Sequence, residues 1–443
     1  MVIKGSEQGG NQMPERAQQL TTLPTLPHDV ILEILYRSPV KDLIRFRCVS
    51  KTWLALTLDP TFIHMHLDHN KPSIRIMFHG STPDYTDAVM ASTDPTMTEV
   101  LFKVKYNEPY RLGYPTGFKF RDYTNKMVFC GSVNGIVCLS YYRSLGNDDS
   151  LKWERIVLWN PAINCCKSIL VPARKFIHDN STRVSVGLGY DADATDFRIV
   201  RIVPDVSKSS STDDIMSRVE IFSNKKDCWE DVNDGAFIPF CPVLQNCNFI
   251  IKGVPYWQAE GGLAVIDPCT GMYRRVPYPK YVTNQRTWVN PVNSMDSVAV
   301  FVYSPGIEVN DLVDVYVLDD SCGSWMKKYT TGPIEFEQFR LPQCLATGEL
   351  VVHKYERMTS VAGDSWPIID LRTFFYNPVT GHLSTAFDTF KANWSESYHH
   401  VDSLVFLKGM EPLDKEVKKK NWDKFLSKGF KFLQCFLLKS DTG

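Results

Sequence analysis

Four short stretches of the chain bring together residue types that could do chemistry. His64-Met65-His66-Leu67-Asp68-His69 alternates polar and apolar residues, so a strand there would place His64, His66 and Asp68 on one face. Imidazole and carboxylate suit zinc or copper, but solvated polar residues at a domain junction account for the same pattern. Gly363-Asp364-Ser365-Trp366 could surround a nucleophilic serine. It lacks the following glycines, and nothing designates His353, His382, His399 or His400 as its base. Gly187-Leu188-Gly189 has neither a third glycine nor a following helix, so its glycines read as easing a strand or turn rather than cradling a dinucleotide. Asp191, Asp193 and Asp196 lack calcium-loop spacing. No catalytic constellation survives, and no cofactor or resident metal is expected.

The composition narrows the class further. The chain has 443 residues, 44% hydrophobic and 22% charged, which is the profile of a folded globular protein. Its net charge of −1 supplies no global field toward nucleic acid or an anionic membrane. No apolar run is long enough for a membrane-spanning helix, and the first twenty residues lack the apolar centre of a signal peptide. The twelve cysteines contain no C-x-x-C pair, and most read as small buried hydrophobes in a reducing compartment, cytoplasmic or nuclear. Sequons at Asn180 and Asn393 carry no weight without secretion.

The elements change character along the chain, giving an α+β protein in sequence order. Residues 1–22 are polar and Gly/Gln-rich and read as a disordered lead-in. Three short helices are predicted within 23–68. In the first, Val30, Ile31, Ile34 and Leu35 form one stripe, with Pro27 at the start and Asp29 at the positive end of the dipole. Pro39 stops it. The second runs Lys41–Cys48, and the third is capped by Ser50 and runs through Trp53 to Asp59-Pro60. Helices this short bury too little surface to be secure alone, so much of their apolar face should meet another domain or chain.

Residues 71–410 read as short strands separated by Gly, Asn, Asp and Pro, with no helical crossovers for a parallel sheet. Five hairpins share a strand-Asx turn-strand form: 156–164, 219–229, 263–273, 313–325 and 373–383. Their turn residues Asn160, Asn224, Asp267, Asp319 and Asn377 recur at 43- to 64-residue intervals. Intervals near 40–50 residues suit four-stranded propeller blades, and roughly 340 residues at about 48 per blade predict a β-propeller of about seven blades, with six or eight also open. Two large stacked sheets are the alternative architecture.

The head also carries an ordered motif. Leu26-Pro27, Glu33-Ile34-Leu35, Pro39-Val40-Lys41, Arg45-Phe46-Arg47-Cys48-Val49-Ser50-Lys51-Thr52-Trp53 and Asp59-Pro60-Thr61-Phe62 together resemble an F-box. In the body, Gly131-Ser132-Val133-Asn134-Gly135, Leu158-Trp159-Asn160-Pro161, Val186-Gly187-Leu188-Gly189-Tyr190-Asp191, Gly253-Val254-Pro255-Tyr256-Trp257, Ser324-Trp325 and Ser403-Leu404-Val405 resemble the F-box-associated domain of plant F-box proteins. S-locus and defence-regulating F-box proteins are similar. The resemblance implies the substrate-recognition subunit of an SCF-type ubiquitin ligase. A Skp-type adaptor, and through it a cullin, would be held by Leu26, Pro27, Ile31, Ile34, Leu35, Pro39, Leu43, Val49 and Trp53. The β domain would recruit a protein target for ubiquitination, and the chain would itself be non-catalytic. Ser38, where a Leu is common, and Leu54, where a basic residue often follows the Trp, depart from the pattern.

Rival readings are a helix-turn-helix binding DNA through Arg45, Arg47 and Lys51, a bundle that merely caps the β body, and a propeller enzyme or carbohydrate-binding protein with an incidental cap. The head has few basic residues and the chain is not basic overall, so nucleic acid is not expected as a partner. The tail, 411–443, spaces Trp422, Phe425, Leu426, Leu433, Phe436 and Leu437 as one helical face among eight lysines. It reads as packing on the β body or as partly disordered rather than as resting on a membrane or a partner, and Gly429 would weaken a helix there.

Overall fold

The computed structural model describes residues 27–70 and 75–412. Within 75–412 the segments 82–84, 92–98, 106–125, 144–152, 172–183, 206–215, 233–236, 241–246, 260, 281–287, 295–296, 304–312, 320–322, 332–338, 345–347, 360–367 and 388–393 are excepted. The lead-in, Leu26, the serine motif at 363–366, the Ser-rich stretch Ser207–Thr212, Asn180, Asn393 and the tail beyond Pro412 lie outside the described residues.

The head contains four helices: α1 (His28–Tyr36), α2 (Val40–Phe46), α3 (Lys51–Leu58) and α4 (Pro60–Asn70). Prolines begin three of them, since a missing N–H costs nothing where the first-turn donors have no helical partner. Pro27 and Pro39 occupy the N-caps of α1 and α2. Ser50 caps α3, its Oγ accepting from the Trp53 N–H at 3.2 Å. The fourth helix corrects the three-helix reading. Asp59 Oδ1 accepts from the Thr61 and Phe62 N–H groups at 2.9 and 3.0 Å, and Pro60 follows as the first helical residue. Asp59-Pro60 is thus a helix start, and the alternation at 64–69 lies on a helix rather than a strand.

The strands follow as β1 (Arg75–Ser81), β2 (Tyr85–Ala91), β3 (Glu99–Lys105), β4 (Lys126–Val133), β5 (Ile136–Arg143), β6 (Trp153–Asn160) and β7 (Cys165–Leu170). Next come β8 (Ser185–Asp191), β9 (Asp196–Asp205), β10 (Met216–Ser223), β11 (Cys228–Asp231), β12 (Phe237–Ile238), β13 (Phe249–Ile251), β14 (Val254–Ala259), β15 (Gly262–Ile266) and β16 (Tyr273–Pro277). The rest are β17 (Trp288–Ser294), β18 (Ser297–Tyr303), β19 (Val313–Asp319), β20 (Ser324–Thr331), β21 (Phe339–Cys344), β22 (Leu350–Thr359), β23 (Ile368–Tyr376), β24 (Leu383–Phe387), β25 (Trp394–His400) and β26 (Glu411–Pro412).

These strands form six antiparallel sheets among the described residues: β25-β1-β2-β3, β4 to β7 with β26 added outside β7, β8 to β11 with β12 on β10, β13 to β16, β17 to β20, and β21 to β24. The inner strands touch in turn: β25 meets β4, β4 meets β8, β8 meets β14, β13 meets β17, β17 meets β21, and β21 returns to β25. Among the described residues that is a closed propeller of six blades, numbered from the β1 blade, one of the counts left open beside seven. Part of the chain length lies in connections between strands, so dividing length by an average blade overcounts. Closure is non-covalent, because the C-terminal β25 pairs with the N-terminal β1 from Arg75↔His400 to Ser81↔Trp394.

All five predicted hairpins exist, each joining the third and fourth strands of blades two to six. Asp267 Oδ1 takes the Cys269 and Thr270 N–H groups at 2.7 and 3.0 Å, and Asn377 Oδ1 takes those of Val379 and Thr380 at 3.0 and 3.1 Å. Gly187 and Gly189 lie in β8, as their reading required. A Cβ on Gly187 would sit 2.8 Å from Trp257, and one on Gly189 2.5 Å from Pro268, so these glycines let neighbouring blades approach. One core among the described residues joins Val137 and Trp159 of blade two, Val200 and Ile221 of blade three, Trp257 of blade four and Tyr398 of the closing strand.

Candidate functional site

The head is built around Leu35, Val40, Leu43 and Phe62. Leu35 and Leu43 are 0% exposed. Tyr36 stacks on Phe62 with ring centroids 4.9 Å apart, and Trp53 meets Phe46 edge-on at 5.2 Å. Arg47 binds across the turn, its Nε donating to Thr57 Oγ1 at 3.2 Å, and burial holds its pKa below the usual value. His66 is also wholly buried, with Nε2 3.0 Å from the Ser38 carbonyl oxygen. Desolvation pushes its pKa down, against the opposing effect of that hydrogen bond.

The first helical stripe divides. Ile31 is half-buried and Leu35 buried, whereas Val30 and Ile34 point outward. Ile34 keeps 45% and Val49 64% of its surface exposed, and Pro27 and Pro39 are exposed beside them in sequence. Trp53 is half-buried. Of the residues expected to hold an adaptor, Pro27, Ile34, Pro39 and Val49 therefore offer surface, and Ile31 and Trp53 offer part of theirs. Leu35 and Leu43 support the bundle from within. Sequence reasoning missed exposed Leu58 and Met65 on α3 and α4. Only the packing of the fourth helix reveals which side of the bundle they occupy.

The bundle is seated on blade two. Leu404, 1% exposed, enters the helical core, and Ala162 and Ile163 of the β6–β7 turn pack against the same cluster. Leu404 is held by the segment that follows β25. Asn160 Nδ2 donates to the carbonyl oxygens of Ser403 at 3.0 Å and Val405 at 2.8 Å, and Ser403 Oγ donates to the Asn134 carbonyl at 2.8 Å. Gly135, at φ +81°, leaves room for this strap, since a Cβ there would collide with Ser403 Oγ. In an antiparallel blade the hairpin turns after the first and third strands emerge on one face, and this is the face the bundle covers.

The other chemically suggestive residues have structural roles. His64 and Asp68 pair across one helical turn at 3.4 Å, while His66 points inward, so the three do not share a face. No group of three potential ligands forms a metal site among the described residues. Asp191 Oδ1 accepts from the Ala194 N–H at 2.8 Å, which is the main reason its carboxyl pKa is lowered. Asp196 takes the Ser223 hydroxyl at 2.6 Å and the Lys225 N–H at 2.8 Å, tying two turns of blade three together. His400 Nδ1 lies 2.8 Å from Ser132 Oγ at the seam between blades one and two.

A small helical module with exposed apolar side chains is thus held on a propeller through Leu404 and the β6–β7 turn. Comparison with known families makes it specific: residues 23–65 match the F-box domain, and residues 148–271 match the F-box associated beta propeller domain. In both matches the chain is similar to plant F-box proteins of the F-box-associated type. It is 28% identical over 241 residues to F-box protein At3g08750 of Arabidopsis thaliana, an alignment covering 54% of this chain and 55% of the relative. Putative F-box protein At4g38870 of the same organism is 21% identical over 410 residues, 86% and 88% of the two chains. F-box protein CPR1, also from Arabidopsis thaliana, is 29% identical over 227 residues, 48% of this chain and 46% of that one. The chain thus spans about half the length of the first of these relatives.

Proposed function

We propose that this chain is the substrate-recognition subunit of an SCF-type ubiquitin ligase, acting in the cytoplasm or nucleus. The observation that carries the reading is the unsatisfied apolar face of the F-box bundle. Its interior is complete, yet Ile34 and Val49 remain at the surface. Burying each against a Skp-type adaptor would contribute on the order of 1–2 kcal/mol. The adaptor links the chain to a cullin, and the propeller holds the protein target. The chain needs no nucleophile, because tethering raises the effective concentration of target lysines near the loaded conjugating enzyme. Anchorage of the bundle through Leu404 supports this role, since it limits how far a bound target swings relative to the adaptor. The bundle covers the short-turn face of blade two, which leaves the opposite propeller face for the target.

The test is co-purification with a recombinant Skp-type adaptor, comparing the wild-type chain with Ile34→Asp/Val49→Asp. Binding by the wild type and its loss in a variant with unchanged circular dichroism is the expected result. A well-folded wild type that binds no adaptor overturns the reading.

A further inference from the structure

Asn160 ends β6 opposite Cys165 and is wholly buried. Its side chain acts in two directions. Oδ1 accepts from the Ala162 N–H at 3.0 Å, which shapes the β6–β7 turn that puts Ala162 and Ile163 against the F-box. Nδ2 donates to the carbonyl oxygens of Ser403 and Val405, the two residues that flank Leu404 in the chain. Ser403 Oγ reinforces this arrangement by accepting from the Val405 N–H at 3.3 Å. The propeller residues of the helical core, Leu404, Ala162 and Ile163, are thus all set by one amide group.

The first role does not require an amide. In blades four and six, Asp267 and Asn377 each accept two turn N–H groups through Oδ1, so a carboxylate makes this turn as well as an amide does. The second role does require one. Two carbonyl oxygens facing one side-chain atom are satisfied only by a donor, and a carboxylate there would set acceptor against acceptor. Asn160→Asp therefore separates the strap from the turn.

We propose that Asn160 orients the F-box on the propeller through Nδ2 and is thereby a positioning residue for ubiquitin transfer. A contact of a few side chains between domains leaves relative motion as the default. By holding both neighbours of Leu404, the amide keeps that side chain seated in the helical core and fixes which part of the propeller faces the loaded conjugating enzyme. Its loss changes where ubiquitin lands and not how tightly the adaptor is held. The consequence for transfer rests on the function proposed above, whereas the orienting role does not.

The experiment compares the full-length wild type, Asn160→Asp, Leu404→Ala and, as a control, Gly187→Ala, whose added methyl meets Trp257 away from the strap. Spin labels on non-natural residues at exposed Met65 of α4 and exposed Lys280 beyond β16 report the distance between F-box and propeller. The Kd for a recombinant Skp-type adaptor is measured, and mass spectrometry maps which of the chain's own lysines receive ubiquitin in the reconstituted ligase. Asn160→Asp and Leu404→Ala should widen the distance distribution on the order of twofold and cut modification of the wild type's preferred lysines about threefold. Adaptor Kd should be unchanged in both, and Gly187→Ala should match the wild type throughout. A distribution as narrow in Asn160→Asp as in the wild type overturns the proposal, as does equal widening in Gly187→Ala, which would reflect general loss of stability. Should Asn160→Asp not fold, a narrow distribution in Leu404→Ala overturns it equally. Widened distances with an unchanged ubiquitin pattern overturn the role in transfer. If distances widen but no form binds adaptor, the orienting role stands and the ligase reading falls.

Discussion

Asn160 and Ser403, separated by 243 positions, are joined by a hydrogen bond from the Asn160 amide to the Ser403 carbonyl at 3.0 Å. This bond fixes the last described segment of the chain beneath the second blade and presents Leu404 to the F-box. One short strap thereby closes the ring through β25, extends blade two through β26 and fills the helical core.

Leu404→Ala should destabilise the contact between the two domains by about 2–4 kcal/mol, because it empties a site in a closed apolar cluster. Urea denaturation is expected to separate into two transitions, with the helical signal lost first. A single transition at the wild-type midpoint would show that the head does not depend on the strap.

Surface and interior residues of the F-box should separate cleanly in their effects. Leu35→Ala is expected to cost about 2–5 kcal/mol of stability, since its side chain is wholly enclosed. Ile34→Asp and Val49→Asp should leave thermal stability within about 0.5 kcal/mol of wild type while weakening adaptor binding at least about tenfold. Calorimetric melting and titration with adaptor measure the two effects on the same preparations.

Acid should loosen the F-box before the propeller. The folded pKa of His66 lies below its ordinary value, chiefly through burial. The unfolded chain therefore takes up the proton first, and the neutral form favours the fold. Its contribution to stability is present above the ordinary value of about 6.5 and is lost as pH falls below it toward the depressed folded value. Melting of the wild type and His66→Gln between pH 7.5 and 5.5 should show a steeper decline in the wild type.

The ion pair Arg201–Glu220 spans β9 and β10 at 2.5 Å, with both side chains buried. Glu220→Gln should cost about 3–5 kcal/mol by removing the buried carboxylate charge that Arg201 Nη1 meets in blade three. The double replacement Arg201→Met/Glu220→Leu should be close to wild type in stability, since removing both charges removes both desolvation penalties. Denaturant titration of the three chains decides this.

Gly187→Ala and Gly189→Ala should each destabilise by about 1–3 kcal/mol, as the added methyl meets Trp257 or Pro268 of the next blade. Gly323→Ala is the control, because its surroundings are open within 4 Å and only its φ of +65° resists. A loss of about 1 kcal/mol is expected there. Equal losses at all three positions would point to backbone conformation rather than close approach of blades.

What was legible in the sequence was local in origin. The Ser50 cap, the stops at Pro39 and Asp59-Pro60, and the five Asx hairpins depend on interactions over a few residues, and the ordered F-box positions lie within one continuous stretch. The fourth helix was legible in principle, since Asp59-Pro60 is a cap followed by a first-turn proline, but the alternation at 64–69 pointed to a strand. Tertiary structure decided the rest. Whether Leu35 or Ile34 faces outward depends on where α4 and Leu404 pack, and neither lies within the periodicity of α1. The count of six blades depends on which strand closes the ring, and β1 finds β25 across more than three hundred residues. Sequence periodicity shows that an apolar face exists; only the packing of distant segments determines which part of it stays uncovered and can bind a partner.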